Sequence, residues 1–153
     1  MNTTFTQSRK TLLLATALLG GLALASTSQA RDTELMLPVE NVMNMPEARD
    51  KLDADIRFIF ADAPDNVVEE HGNFVSNKKT NAFNKSDDEA CRWVMLSALL
   101  SFQDRVRSEG GNAVVNIESY YDQEPNASKD QYECHAGALM AGVALRGDVV
   151  TLP

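Results

Sequence analysis

Apolar side chains return at every fourth position through Ala90, Val94, Ala98 and Phe102, and this spacing predicts a helix over Ser86 to Ser108. Ser86-Asp87-Asp88-Glu89 has the spacing of a capping box and sets acids against the positive end of the helix dipole. Arg105 and Arg107 fall in the last turn, and Gly110-Gly111 supplies the stop. Trp93, Met95, Leu96, Leu99 and Leu100 widen the stripe until much of the middle circumference is apolar. Such a helix must be covered on more than one side, by its own domain or by a partner subunit.

The remaining pattern is of period two. Asn112 to Tyr121 reads as a strand with Ala113, Val115 and Ile117 on one face and Asn116 and Glu118 on the other. Of the adjacent Tyr120 and Tyr121, alternation sends one inward and one outward. After a polar turn from Asp122 to Asp130, Gln131 to Leu145 reads as one long extended segment. Its Ala136, Gly137, Ala138, Ala141, Gly142 and Ala144 carry so little bulk that a helix can lie close. Upstream, Glu34 to Val42 reads as an edge strand around Pro38. Pro46 to Leu52 reads as a short helix and Ile56 to Phe60 as a strand. Ala63-Pro64-Asp65-Asn66 turns the chain. Val67 to Val75 reads as extended, and Ser76 to Lys85, being polar, as irregular. The pattern gives an α+β domain in which one main helix packs on a small antiparallel sheet.

The first residues belong to a different pattern. Arg9 and Lys10 precede an apolar run from Thr11 to Ala25, and Ser28-Gln29-Ala30 offers a cleavage site, the layout of a secretory signal peptide. The run is broken by Gly20-Gly21 and is shorter than the roughly 20 residues a bilayer span needs. The expected organisation is a signal peptide over residues 1–30 and a single domain over 31–153, exported to the periplasm without a membrane span. Removing Met1 to Ala30 takes away two cations and no acid, so 14 Lys and Arg against 22 Asp and Glu become 12 against 22, and the net charge moves from -8 to about -10. That balance disfavours nucleic acid and anionic headgroups as partners.

Export also decides how the two cysteines are read. In an oxidising compartment, Cys91 and Cys134 are expected to form one disulfide. Cys91 lies in the first turn of the helix, so Cys134 must face it. Tyr132 and Ala136 then share the inward face, and Glu133 and His135 point outward.

Catalytic patterns are absent from the sequence: it holds no phosphate-binding loop, no nucleophile elbow and no His-Glu-x-x-His helix. ATP is therefore not expected as a ligand, nor any cofactor. The weak metal candidates are His71 and His135 with Glu133, Glu69 or Glu70, because imidazole and carboxylate suit divalent cations, although their spacing matches no ligand pattern. Asp122, Glu124 and Asp130 read as a solvated loop tip rather than a calcium loop.

Gly110-Gly111-Asn112-Ala113-Val114-Val115-Asn116-Ile117, leading to Tyr132-Glu133-Cys134-His135-Ala136-Gly137-Ala138, resembles a group of small exported bacterial proteins of unknown role. That group often carries the label "excinuclease ATPase subunit". The label implies ATP and DNA, and this chain has neither a nucleotide loop nor the charge for nucleic acid. More distantly, the order of helix, Gly-Gly-Asn-Ala-Val strand, loop and small-residue strand is similar to the fold of RcsF-like envelope-stress sensors and of YbjQ-type heavy-metal-binding domains. The first implies a periplasmic, disulfide-bonded domain with a protein partner. The second implies ring-like self-association or metal binding. The expectation is a non-enzymatic, envelope-associated binding module with an envelope protein or a second copy as partner, the alternative being a periplasmic protein that binds a divalent or heavy metal.

Overall fold

A computed structural model describes residues 31–153, and the predicted signal peptide lies outside the described residues. The chain runs through β1 (Thr33–Pro38), α1 (Val39–Met43), α2 (Pro46–Lys51), β2 (Arg57–Phe60), β3 (Glu69–Asn81), α3 (Asp87–Glu109), β4 (Ala113–Ser119), a 3-10 turn (Tyr121–Gln123), β5 (Gln131–Ala136) and β6 (Met140–Thr151). This is the expected α+β class with one main helix. No helix among the described residues is long and apolar enough to cross a membrane.

The ends of α3 are set locally. The Ser86 hydroxyl accepts the Glu89 N–H at 3.1 Å, and Gly110 closes the helix at φ 82° in the left-handed region where glycine has no steric cost. One side of α3 covers β6, β3 and β5. On another side, Val39, Val42, Met45 and Ala48 from the two short helices join the same core. Gln103, buried on α3, pins this second layer: Asp53 N–H donates to its Oε1 at 2.6 Å and its Nε2 donates to Lys51 O at 3.1 Å. The broad apolar circumference of α3 is thus covered by the chain itself.

β6 is the spine of a six-stranded curled sheet. β3 pairs with it along one whole edge, from Asn81↔Met140 to Glu69↔Thr151. The other edge is shared end to end. β5 takes Ala141 and Gly142, and β4 takes the stretch from Leu145 to Val150. β1 lies outside β5, an edge position as expected, and β2 lies outside β4. The β2–β4 pair is parallel, so the sheet is mixed rather than wholly antiparallel. The chain between these strands crosses the sheet through β3 and α3, and that crossover returns it in the same direction.

The disulfide joins Cys91 of α3 to Cys134 of β5, with Cα atoms 5.9 Å apart. Tyr132, Cys134 and Ala136 are fully buried beneath the helix, and Glu133 and His135 face the other way, as the bridge requires.

Other local readings are corrected by the pairing. The predicted strand Glu34–Val42 ends at Pro38, and Val39 opens α1 instead; its buried side chain packs in the helical layer. Ser76 to Asn81 is not irregular but the second half of β3, polar because it runs along the sheet's outer edge. Val115 and Ile117 do not share a face. Asn116 sits at φ 51° in a bulge where the β4–β6 register shifts. The extra residue turns Val114 and Ile117 toward α3 and leaves Ala113 and Val115 in a small cluster on the opposite face with Val150 and Leu152. Gln131 to Leu145 is a hairpin rather than one strand, turned at Gly137, whose N–H donates to Met140 O at 2.8 Å. Of its small residues, Ala136 and Ala141 face the helix, whereas Gly142 lies on the other side under the Tyr121 ring.

Closing a loop of 43 residues, the bridge stabilises the fold by roughly 4 kcal/mol in the chain-entropy account. Cys134→Ser is expected to lower unfolding free energy by about 2 to 5 kcal/mol in urea titration, and an unchanged midpoint would show that the bridge contributes nothing. The hydroxyl of fully buried Tyr132 has no hydrogen-bond partner among the described residues. Tyr132→Phe is accordingly expected to leave stability unchanged or raise it by up to about 1 kcal/mol; a clear loss would reveal a partner for that hydroxyl.

Candidate functional site

The face of the sheet turned away from α3 carries two side-chain clusters, and the loop after β4 builds the first. Ser119 and Asn126 exchange backbone hydrogen bonds at 3.0 and 2.8 Å, and Asp122 and Gln123 adopt positive φ between them. The loop therefore folds back across the sheet. Tyr121 lands flat on the His135 ring, with centroids 3.6 Å apart and planes 8° from parallel. Ser119 Oγ accepts the Glu133 N–H at 2.8 Å, tying β4 to β5.

His135 lies between two carboxylates. Nε2 is 2.9 Å from Glu133 Oε1 and Nδ1 is 3.2 Å from Asp32 Oδ1. An ionised carboxylate only accepts, so both contacts are made at once when both ring nitrogens carry protons. Partial burial opposes that charge, but the hydrogen bonds and Coulombic attraction of Glu133 and Asp32 outweigh it and raise the His135 pKa above its ordinary value. Burial, with Asp32 next in weight, pushes the Tyr121 phenol up. In that doubly protonated form the ring has no lone pair for a proton or a metal, and the cluster is a charge-paired surface.

In the second cluster, Arg146 donates from Nε to Glu118 Oε1 at 2.9 Å while its guanidinium lies 4.2 Å from the Tyr120 ring centroid. Asp148 accepts from Asn73 at 2.7 Å and from Asn116 at 2.9 Å. Tyr120 and Tyr121, expected on opposite faces, both lie half-buried on this one, because the chain leaves strand geometry at Tyr120.

Of the metal candidates, the structure brings His135 and Glu133 together and sets His71 elsewhere. His71 pairs with Thr151 Oγ1 at 2.8 Å at the far end of β6, nine positions beyond Gly142, the register partner of His135. At about 3.3 Å per residue the two histidines are roughly 30 Å apart. Glu69 and Glu70 are exposed beside His71, and Asp122, Glu124 and Asp130 are exposed around the loop. Among the described residues, no group of three or more His, Cys, Asp or Glu side chains could hold a metal ion. Asp32 was missed from sequence because it stands 103 positions from His135; the only signal available was the outward phase of His135.

A third feature is backbone. The Ala82 N–H donates to Leu139 O and fixes the hydrogen-bonding alternation of the β3–β6 ladder. The N–H and C=O groups of Asn73, Val75, Asn77 and Lys79 consequently point away from β6. Asn81 O, in the same phase, is taken by Lys85 Nζ at 2.9 Å. Beside this edge runs a groove of about 320 Å³ between β3 and α3, lined by Val75, Ser76, Ser101, Asp104, Arg105 and Ser108. Arg105 stacks on the Phe74 ring at 4.6 Å and forms its wall.

Comparison with protein-family models, curated proteins and solved structures finds no match to this chain.

The His135 pairs carry a sign. The folded pKa is raised, so their stabilisation is full below the ordinary value of 6.5 and is lost as pH rises through the folded value. The melting midpoint of the wild type, taken relative to His135→Asn, is expected to fall from pH about 6.5 upward. Parallel profiles would mean that the imidazolium pairs contribute nothing.

Proposed function

We propose that this chain is an exported, non-enzymatic binding module of the cell envelope, and that its protein partner adds an extended segment to the outer edge of β3. The observation that carries the reading is the row of outward N–H and C=O groups from Asn73 to Lys79, beside a groove whose opposite wall is α3. Strand addition draws affinity from main-chain hydrogen bonds and specificity from pockets beside alternate side chains, and an edge strand flanked by a helix supplies both. The polar side chains of the open face favour binding over catalysis, since Arg146, Glu118, Asp148 and His135 are each engaged by one another or by neighbours. Export rests on the layout of residues 1–30 and agrees with the Cys91–Cys134 bridge. The helix-on-sheet arrangement with one disulfide also agrees with an RcsF-like relationship. A metal-binding role gains no support from the separation of His71 and His135.

Val75→Pro tests the reading, because it deletes an outward N–H and spares the ladder with β6. Peptides selected from a displayed library of extended sequences against the wild type are expected to bind the Pro variant about tenfold more weakly. They should also slow amide hydrogen exchange at Val75 and Asn77. Undiminished binding by a well-folded Val75→Pro protein would exclude strand addition at this edge.

A further inference from the structure

One end of the β3–β6 ladder departs from the rest of the surface. Phe83, Leu139 and Met140 are 59, 63 and 48 % exposed, and they stand on two loops held side by side by the Ala82 N–H bond to Leu139 O at 2.8 Å. The Phe83 N–H donates to Asn81 Oδ1 at 2.7 Å, which fixes the loop that carries the ring. Three of the five lysines from Arg31 onward, Lys78, Lys79 and Lys85, belong to the same end. None of the three forms an ion pair among the described residues.

We infer that this tip is a contact surface for an anionic lipid bilayer, with Phe83, Leu139 and Met140 entering the headgroup boundary and the three lysines meeting lipid phosphates. The net charge of the chain opposes such a contact at long range, but screening confines that opposition to about 10 Å, and the local charge decides at the surface. Three of the acids near Lys85 and the start of the domain are already engaged. Asp87 pairs with Arg31 at 2.6 Å and Asp88 with Arg92 at 3.0 Å, and Asp32 faces His135. Glu34, on the edge strand opposite His135, and Glu89, at the cleft beneath α1 and α2, are left without a cation among the described residues.

The start of the domain lies at the same tip. Arg31 donates to Gly137 O at 3.1 Å, and a Cβ on Gly137 would come within 2.9 Å of Arg31 O. The polypeptide therefore enters the domain at the hairpin turn of this same tip.

The test is co-sedimentation of the exported protein, recovered after removal of residues 1–30, with vesicles of phosphatidylethanolamine and phosphatidylglycerol, and with vesicles of phosphatidylcholine alone. Wild type is compared with Phe83→Ser/Leu139→Ser and with Lys79→Glu/Lys85→Glu. These side chains are exposed or half-exposed, so melting midpoints should match and confirm folding. Binding is expected on the anionic vesicles, to weaken with salt, to fall at least about tenfold in the serine variant and to fall about fivefold per lysine in the glutamate variant. Equal binding by wild type and both variants, or no binding by any, would overturn the inference. So would a wild-type dimer that the serine variant dissociates in the absence of vesicle binding, which would assign the tip to a second copy of the chain.

Discussion

The structure depends on one constraint, that β6 must be paired on both edges and covered on its helix side along its whole length. Ala141, Val143, Leu145 and Val149 give it a continuous apolar face against α3. Gly147 breaks the row of side chains for a reason visible in the packing: a Cβ there would come within 2.7 Å of Val114 Cγ1. That glycine admits the bulged turn of β4, and the bulge in turn brings Ile117 back to the helix side. Because β4 and β5 must share the remaining edge end to end, the loop between them has to cross at their junction. Ser119 and Asn126 close that crossing and the Ser119 hydroxyl fastens it to Glu133. The open-face clusters are thus consequences of how β6 is paired.

What was legible in the sequence was what neighbouring residues determine. The Ser86 cap, the left-handed Gly110 and the inward phase of Cys134 follow from short-range geometry once the disulfide is granted, and all three are observed. The illegible parts depend on distant partners. Ser76 to Asn81 looks irregular because its side chains are polar, yet it is held by the ladder to Met140–Leu145. Gly137-Ala138-Leu139 makes a hairpin turn without the Asn-Gly or Asp-Gly pair that signals one. The face reversal in β4 arises at Asn116, whose side chain is held by Asp148, a residue 32 positions away that no periodicity reports.

The clusters on the open face differ in kind from the two surfaces assigned to binding. Around His135 and Arg146 the charged side chains are each bonded to an opposite charge or, for Asp148, to two amides, which holds the Tyr120–Tyr121 loop in place and leaves little for a ligand to gain. Along the β3 edge and at the Phe83 tip the reverse is true. Main-chain donors and apolar side chains there lack protein partners among the described residues and the lysines lack ion-pair partners, and a partner supplies what is missing. The two surfaces meet at Asn81, whose carbonyl is held by Lys85 and whose side chain holds Phe83. A contact at the tip would therefore set the height of the β3 edge above whatever the tip rests on.

A free strand of this length would invite indiscriminate pairing if nothing restricted it. β3 is restricted from both ends. The register slips between Glu70 and Gly72, and Gly72 at φ 126° kinks the strand where it begins. Lys78 and Lys79 put paired positive charge where it finishes, which two copies of the chain aligned antiparallel in that region would bring into opposition. Between these limits lies a short window from Asn73 to Asn77 with Val75 as its one exposed apolar side chain and Arg105 as the charged wall of the groove. A window of that length accommodates a single short strand, and the lysines that bound it favour one that brings acidic side chains. The features that protect the edge from self-association are the same ones that give it a preferred partner.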